Sequence, residues 1–130
     1  MSKSIVKVMF QDNLFTIITE EIAEQHAVFD IRLNAQHEIY KGHFPTDPIT
    51  PGVCIVQMAT DLFAHIQQRN CQMTAAKNVK FLNLIKPAEH EVIRYVLDWE
   101  PMDGDSYKVK AVITDGETVF SKLSITIAVR

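Results

Sequence analysis

The stretch HFPTDPITPGV, residues 43–53, separates two parts of the chain that differ in periodicity. It overlaps the segment His37–Pro51, which contains three prolines and one glycine. Proline lacks a backbone N–H and fixes φ, so these residues exclude a regular helix and predict an irregular loop. A loop of this length inside a small domain usually serves a function.

The residues after this loop, Gly52–Asn70, have the period of an α-helix. At about 100° per residue, their apolar side chains fall on one broad face. The centre of that face is formed by Ile55, Ala59, Leu62 and Ile66, with Val56, Met58 and Phe63 beside them. The sequence therefore predicts an amphipathic helix of about five turns whose apolar face is buried.

Strand-like segments lie on both sides of the helix. The segment Leu14–Leu33 is rich in Ile, Phe, Val and Thr and is interrupted by polar residues at Glu20–Gln25, which predicts two strands. Four more strands are predicted at Asn78–Lys86, Glu91–Trp99, Tyr107–Thr114 and Val119–Val129. Asp103-Gly104 and Asp115-Gly116 provide turn residues between them. This order predicts an α+β fold in which an antiparallel sheet of about six strands curls around one long helix.

The composition limits the class of protein. A length of 130 residues with 47% apolar and 22% charged residues predicts one globular domain over residues 1–130. The 13 basic and 16 acidic residues are scattered, which argues against a nucleic-acid partner. Two cysteines and a poor signal peptide favour the cytoplasm, and no apolar run reaches the roughly 18 residues of a membrane span.

The stretch at residues 43–53 closely resembles the HFPxxPxxPGV signature of the β-hydroxyacyl-acyl carrier protein dehydratases of fatty-acid synthesis. Tyr40 and Gly42 also fit that family, and Val79–Phe81 and Pro87–Glu89 look like its strand and turn after the helix. The resemblance runs from about Leu14 to the C-terminus. It implies a hot-dog fold and a role in fatty-acid or related lipid or polyene synthesis.

The resemblance also implies a reaction, the removal of water from a 3-hydroxyacyl thioester to give the trans-2-enoyl form. His43 is the candidate base, since imidazole titrates near neutral pH. We expect Phe44, Pro51, Gly52 and Val53 to bind the substrate. Backbone N–H groups at the start of the helix can polarise the thioester carbonyl, and the missing Cβ of Gly52 would allow its close approach.

Two helix residues complete the expected site. In the resembled family the acid lies six residues after the proline of the PG pair, where this chain has Gln57. Asp61 follows one helical turn later, about 40° around the axis and about 6 Å along it. We hypothesise that acid and amide have exchanged places, with Asp61 supplying or orienting the proton and Gln57 holding the substrate hydroxyl. Both residues also fit a solvated face opposite the apolar one.

Two other functions remain open. In an acyl thioesterase, Asp61 would activate water as a general base. In a non-catalytic acyl-binding partner subunit, Gln57 would mark the lost acid. The resemblance implies an acyl carrier protein or coenzyme A thioester as partner and a homodimer or assembly of dimers whose pockets lie between subunits. We expect no cofactor beyond the substrate's own phosphopantetheine and no metal, because the histidines and cysteines lack ligand spacing.

Overall fold

The computed structural model describes residues 6, 8–42 and 46–130. The strands of these ranges are β1 Phe15–Ile22, β2 His26–Leu33, β3 Cys71–Phe81, β4 Val92–Pro101, β5 Ser106–Thr114 and β6 Val119–Val129. One α-helix, α1 Gly52–Gln67, lies between β2 and β3, and a one-turn 3₁₀ helix spans Glu38–Tyr40. The predicted six strands and one long helix are confirmed.

The six strands form one antiparallel sheet in the order β1-β2-β4-β5-β6-β3. In the sequence of β5, apolar residues alternate with Lys108 and Lys110, which predicts one buried face, and Val109, Ala111 and Ile113 are indeed buried. The turn glycines Gly104 and Gly116 have positive φ values of 73° and 99°, which explains why glycine occupies both turns. The hairpins β4–β5 and β5–β6 therefore follow the sequence pattern closely.

Helix α1 packs inside the curl of the sheet. Most of its residues from Cys54 to Ala64 are buried, and the apolar face predicted from periodicity joins the core that the sheet encloses. The Tyr95 hydroxyl donates a buried hydrogen bond of 2.9 Å to the carbonyl oxygen of Ile55, which fixes the first helical turn to β4. This enclosure is the hot-dog arrangement.

Strand β3 differs most from its predicted bounds of Asn78–Lys86. It begins at Cys71 and ends at Phe81. The pairing with β6 shifts register between Met73 and Ala75 and again between Ala76 and Asn78, so the alternation that marks a strand is interrupted. Because β3 lies at the sheet edge and is mostly exposed, its sequence also lacks a continuous apolar stripe.

Candidate functional site

The N-terminal end of α1 lies at the protein surface. Pro51 is the N-cap, and among the described residues no side-chain hydrogen bond caps the helix there. The amides of Cys54 and Ile55 bond to the Pro51 carbonyl at 3.0 and 3.2 Å, whereas those of Gly52 and Val53 lie before the first helical hydrogen bonds. Val53 is 79% exposed. In the described part of the chain, the predicted carbonyl-polarising end of the helix is thus without a side-chain cap and next to solvent.

Gly52 is in close contact with an aromatic ring. A Cβ built on Gly52 would lie 2.6 Å from Cζ of Phe81, too close for any side chain unless the ring moves. The ring of Phe81, at the end of β3, is 52% exposed. A side chain at position 52 would therefore displace the Phe81 ring, which favours glycine here in addition to the expected approach of a thioester.

Gln57 and Asp61 contact each other directly. The Gln57 amide nitrogen, Nε2, donates to Oδ1 of Asp61 at 2.9 Å. The same oxygen accepts from the backbone N–H of Met9 at 3.1 Å, and Oδ2 accepts from that of Phe10 at 2.6 Å. Asp61 is only 2% exposed. The solvated face that the helical wheel allowed is wrong for Asp61, because residues 9–10 cover it.

Two grooves meet at Gln57. One of about 370 Å³ runs between the first turns of α1 and strand β3 and has a mostly apolar lining: Gly52, Val53, Val56, Gln57, Thr60, Met73, Ala76, Val79 and Phe81. The other, of about 440 Å³, lies beside residues 8–9 and shares Gln57, Thr60 and Met73 with the first. In the described ranges Asp61 lines neither groove, so Gln57 is the polar side chain of the pair that a ligand in them would meet.

The predicted His43 and Phe44 lie outside the described residues, but the segments on either side of them are held firmly. The Tyr40 hydroxyl and Thr50 Oγ1 share a buried hydrogen bond of 2.9 Å. The amide of Thr50 donates to the carbonyl of Ile85 at 2.8 Å, and Lys86 forms a 3.0 Å ion pair with Asp47. The two sides of the loop are thus tied to each other and to the segment after β3.

Buried hydroxyl and thiol groups around the first turn remain protonated at neutral pH. Burial raises the pKa of Tyr40, and it raises that of Tyr95 well above the usual value. Cys54 lies in the first turn, where a helix normally favours a thiolate, but burial raises the pKa of its thiol. Tyr95 thus remains a hydrogen-bond donor, and the raised pKa of Cys54 does not favour a thiolate nucleophile.

Neither a metal site nor a membrane-spanning helix is found among the described residues. No group of three or more His, Cys, Asp or Glu side chains in the described part of the chain could hold a metal ion. Over the same residues, no helix is long and apolar enough to cross a membrane. The expected absence of a metal or other cofactor stays a prediction.

Comparison with known proteins identifies the family. A family model described as ApeI-like, ApeI dehydratase, matches residues 19–122. The chain belongs to the ApeI-like dehydratase family. The dehydratase FabZ of Rickettsia akari, which acts on 3-hydroxyacyl-acyl carrier protein, is 32% identical over 90 residues. That match covers 69% of this chain and 57% of the relative, so it spans little more than half of the relative's length.

Solved structures extend the likeness to the whole fold. The dehydratase heterocomplex ApeI:P from Xenorhabdus doucetiae matches with a TM-score of 0.69 at 18% identity, over 87% of this chain and 96% of that one. A mutant thioesterase from Pseudomonas aeruginosa matches with a TM-score of 0.60 at 13% identity, over 87% and 80%. At such identities the likeness shows the fold alone, which ApeI-like dehydratases share with thioesterases.

The predicted site of this ApeI-like family member is therefore partly described. Gly52, Val53 and Gln57 line one groove, and Asp61 lies behind Gln57. Sequence reasoning missed Phe81 as the residue against Gly52, although Val79–Phe81 carried part of the family resemblance. It also missed the backbone amides of residues 9–10, for which the sequence offers no signal. The roles assigned to all these residues stay predictions.

Proposed function

We propose that this protein removes water from 3-hydroxyacyl thioesters carried by acyl carrier protein, giving trans-2-enoyl thioesters. The observation that carries the proposal is the Gln57 amide, which lies where two grooves meet, one turn from the uncapped start of α1. A thioester carbonyl at that helix end and a hydroxyl at Gln57 would leave the acyl chain in the apolar groove. Family membership supports the same reaction class.

The reaction needs three groups. His43 would take the proton from C2, while the first helical amides stabilise the negative charge that develops on the thioester oxygen. The C2–H electron pair then forms the C2–C3 double bond as the C3–O bond breaks. Gln57 would hold the departing hydroxyl but cannot protonate it, because an amide is not an acid at neutral pH.

The leaving hydroxide therefore needs its proton from elsewhere. Asp61 was expected to supply or orient that proton, and both of its oxygens already accept hydrogen bonds from N–H donors. Supplying a proton would require one of these contacts to change. We favour the orienting role for Asp61 and return of the C2 proton from the His43 imidazolium to the hydroxyl. No cofactor or metal enters this scheme.

The site would be completed by a second copy of the chain. Strand β3 is an edge strand, and exposed apolar side chains lie on or next to it: Met73, Phe81, Leu82 and Leu84. An edge that is unpaired among the described residues favours pairing with another strand. We propose a homodimer, or an assembly of dimers, that buries this edge and places the His43 loop of one protomer opposite Gln57 of its partner. Light scattering that gives a monomer at working concentration would contradict this arrangement.

Mass spectrometry of a 3-hydroxyacyl-acyl carrier protein incubated with the purified chain tests the activity. We expect the loss of one water from the acyl chain, abolished by His43→Ala. His26→Ala is the matched control, because His26 is an exposed histidine paired with Asp98 on the sheet, outside both grooves. Full activity of His43→Ala would overturn the assignment of the base.

The two other functions give different outcomes in the same assay. Release of free acid would indicate a thioesterase, which the buried position of Asp61 behind Gln57 does not favour, since a general base must reach the attacking water. Binding without any product at several chain lengths would indicate an acyl-binding subunit. The acyl-binding candidate is favoured by Gln57, which stands at the place of the acid. The likeness to a chain of the ApeI:P heterocomplex supports a second, different subunit as its partner.

A further inference from the structure

The Asp61 carboxylate is a buried acceptor surrounded by N–H donors. Its two oxygens accept from the backbone of Met9 and Phe10 and from the Gln57 amide. None of the ion pairs in the described ranges includes it. Three N–H dipoles therefore compensate this carboxylate at 2% exposure.

This arrangement fixes which way the Gln57 amide faces. A carboxylate oxygen can only accept hydrogen bonds, so the amide atom 2.9 Å from Oδ1 has to be the nitrogen. Because the amide group is planar, its carbonyl oxygen, Oε1, is then directed away from Oδ1. Oε1 has no hydrogen-bond partner among the described residues, while Gln57 itself lines both grooves.

We infer that Asp61 is a positioning residue that holds the Gln57 carbonyl oxygen towards the grooves, so that the site selects an acyl chain with a hydroxyl over one with a ketone at the same carbon. A hydroxyl donates a hydrogen bond to Oε1, whereas a ketone oxygen faces it with no donor. This inference rests on the proposed acyl-thioester function and adds a basis for its selectivity. A neutral hydrogen bond of this kind changes an affinity by roughly fivefold, which sets the size of the expected preference.

The experiment compares two ligands of one chain length, a 3-hydroxyacyl and a 3-oxoacyl pantetheine in which an amide replaces the thioester. Their dissociation constants are measured by calorimetry, without turnover. The wild-type chain should bind the hydroxy ligand several-fold more tightly. In Asp61→Asn the ratio should fall towards one, because an asparagine can either accept from or donate to Gln57 and so allows both amide orientations.

A merely structural role for Asp61 would leave this ratio unchanged. Loosening residues 9–10 would weaken the binding of both ligands by the same factor, whereas a reoriented Gln57 amide would change the affinity for one ligand relative to the other. The matched variant is Gln57→Met, which keeps the side chain's length, removes its hydrogen-bonding groups and leaves Asp61 bonded to the backbone. It should lose the preference, and adding Asp61→Asn to it should change the ratio no further.

The outcomes separate this inference from the proposed function. Equal binding of both ligands by the wild type, or an unchanged ratio in Asp61→Asn, would overturn the inference and leave the dehydratase proposal in place. Binding of neither ligand would overturn both. If Asp61→Asn does not fold, as thermal melting will reveal, the wild type and Gln57→Met still decide, because the inference requires their ratios to differ.

Discussion

The two ends of helix α1 satisfy their backbone groups in opposite ways. At the C-terminal end, Gln68 donates from its backbone to Ala64 and from its side chain to the His65 carbonyl at 2.7 Å. At the N-terminal end, Pro51 provides no side-chain cap, and Val53 is exposed. Backbone groups at a helix end are usually paired with a side chain, water or a ligand, so we expect a ligand to supply the missing contacts at the N-terminal end.

The C-terminal end is also tied to the rest of the fold. His65 pairs with Glu20 of β1 at 3.0 Å, and the backbone of Arg130 donates to Asn70 at 2.7 Å just beyond the helix. The contacts at the N-terminal end instead hold the groove: Phe81 lies over Gly52, and Asp61 holds Gln57. Polar contacts thus tie the C-terminal end to the sheet, whereas those at the N-terminal end lie beside the groove that we propose as the binding surface.

The largest effect is expected from Gln57→Glu, which places a second carboxylate against Asp61. The like charge raises the pKa of the introduced carboxyl above its unfolded value of about 4.3. Below that pH the free energy of unfolding should match the wild type. It should fall as the pH rises through 4.3 towards the raised pKa, reaching a loss of about 2 kcal/mol at pH 7. Urea unfolding from pH 4 to pH 8 measures this difference.

The same substitution at the other end of the helix provides the control. Gln67→Glu, in the last turn, meets the negative end of the helix dipole and should cost only about 0.5 kcal/mol. Its pH dependence should be slight. If both variants show the same pH dependence, the contact between Gln57 and Asp61 is not responsible. Gln57→Glu also places a carboxyl at the position where the resembled family has its acid.

The sequence predicted those parts of the structure that depend on residues close together in the chain. The period of α1 and the alternation in β5 arise from residues a few positions apart, and the positive φ of Gly104 and Gly116 follows from turn chemistry. The start of β3 was missed because two register shifts interrupt its alternation and the strand is mostly exposed.

The sequence indicated residues of the candidate site but not most of the contacts that these residues make. Spacing on a helix brought Gln57 and Asp61 within reach of each other, and their hydrogen bond bears this out. The burial of Asp61 depends on Met9 and Phe10, which precede it by 52 and 51 positions. No periodicity encodes contacts over such separations. For the same reason the ring of Phe81 could not be placed against Gly52 from sequence.

A smaller effect is expected from Gly52→Ala at the N-terminal end of α1. The added Cβ would lie 2.6 Å from Phe81 Cζ, so the ring has to swing outward and lose its contact with the helix. We expect a loss of about 1 kcal/mol, measured by thermal melting. Combining the change with Phe81→Ala should abolish the additional cost. Gly42→Ala is the matched control, because a Cβ there meets nothing within 4 Å. An equal cost with and without the ring would exclude this contact as the cause.

The smallest effect is expected at the C-terminal end of α1, where Gln68 adopts the left-handed conformation with φ 53°. Gln68→Gly removes a backbone strain of about 1 kcal/mol but also removes the exposed side-chain hydrogen bond to His65, worth about 0.5 kcal/mol. The net result should be a gain of about 0.5 kcal/mol in the free energy of unfolding. Gln68→Ala loses the same bond and keeps the strain, so urea unfolding should show a loss. Changes of the same sign in both variants would mean that the backbone conformation does not govern the stability of this end.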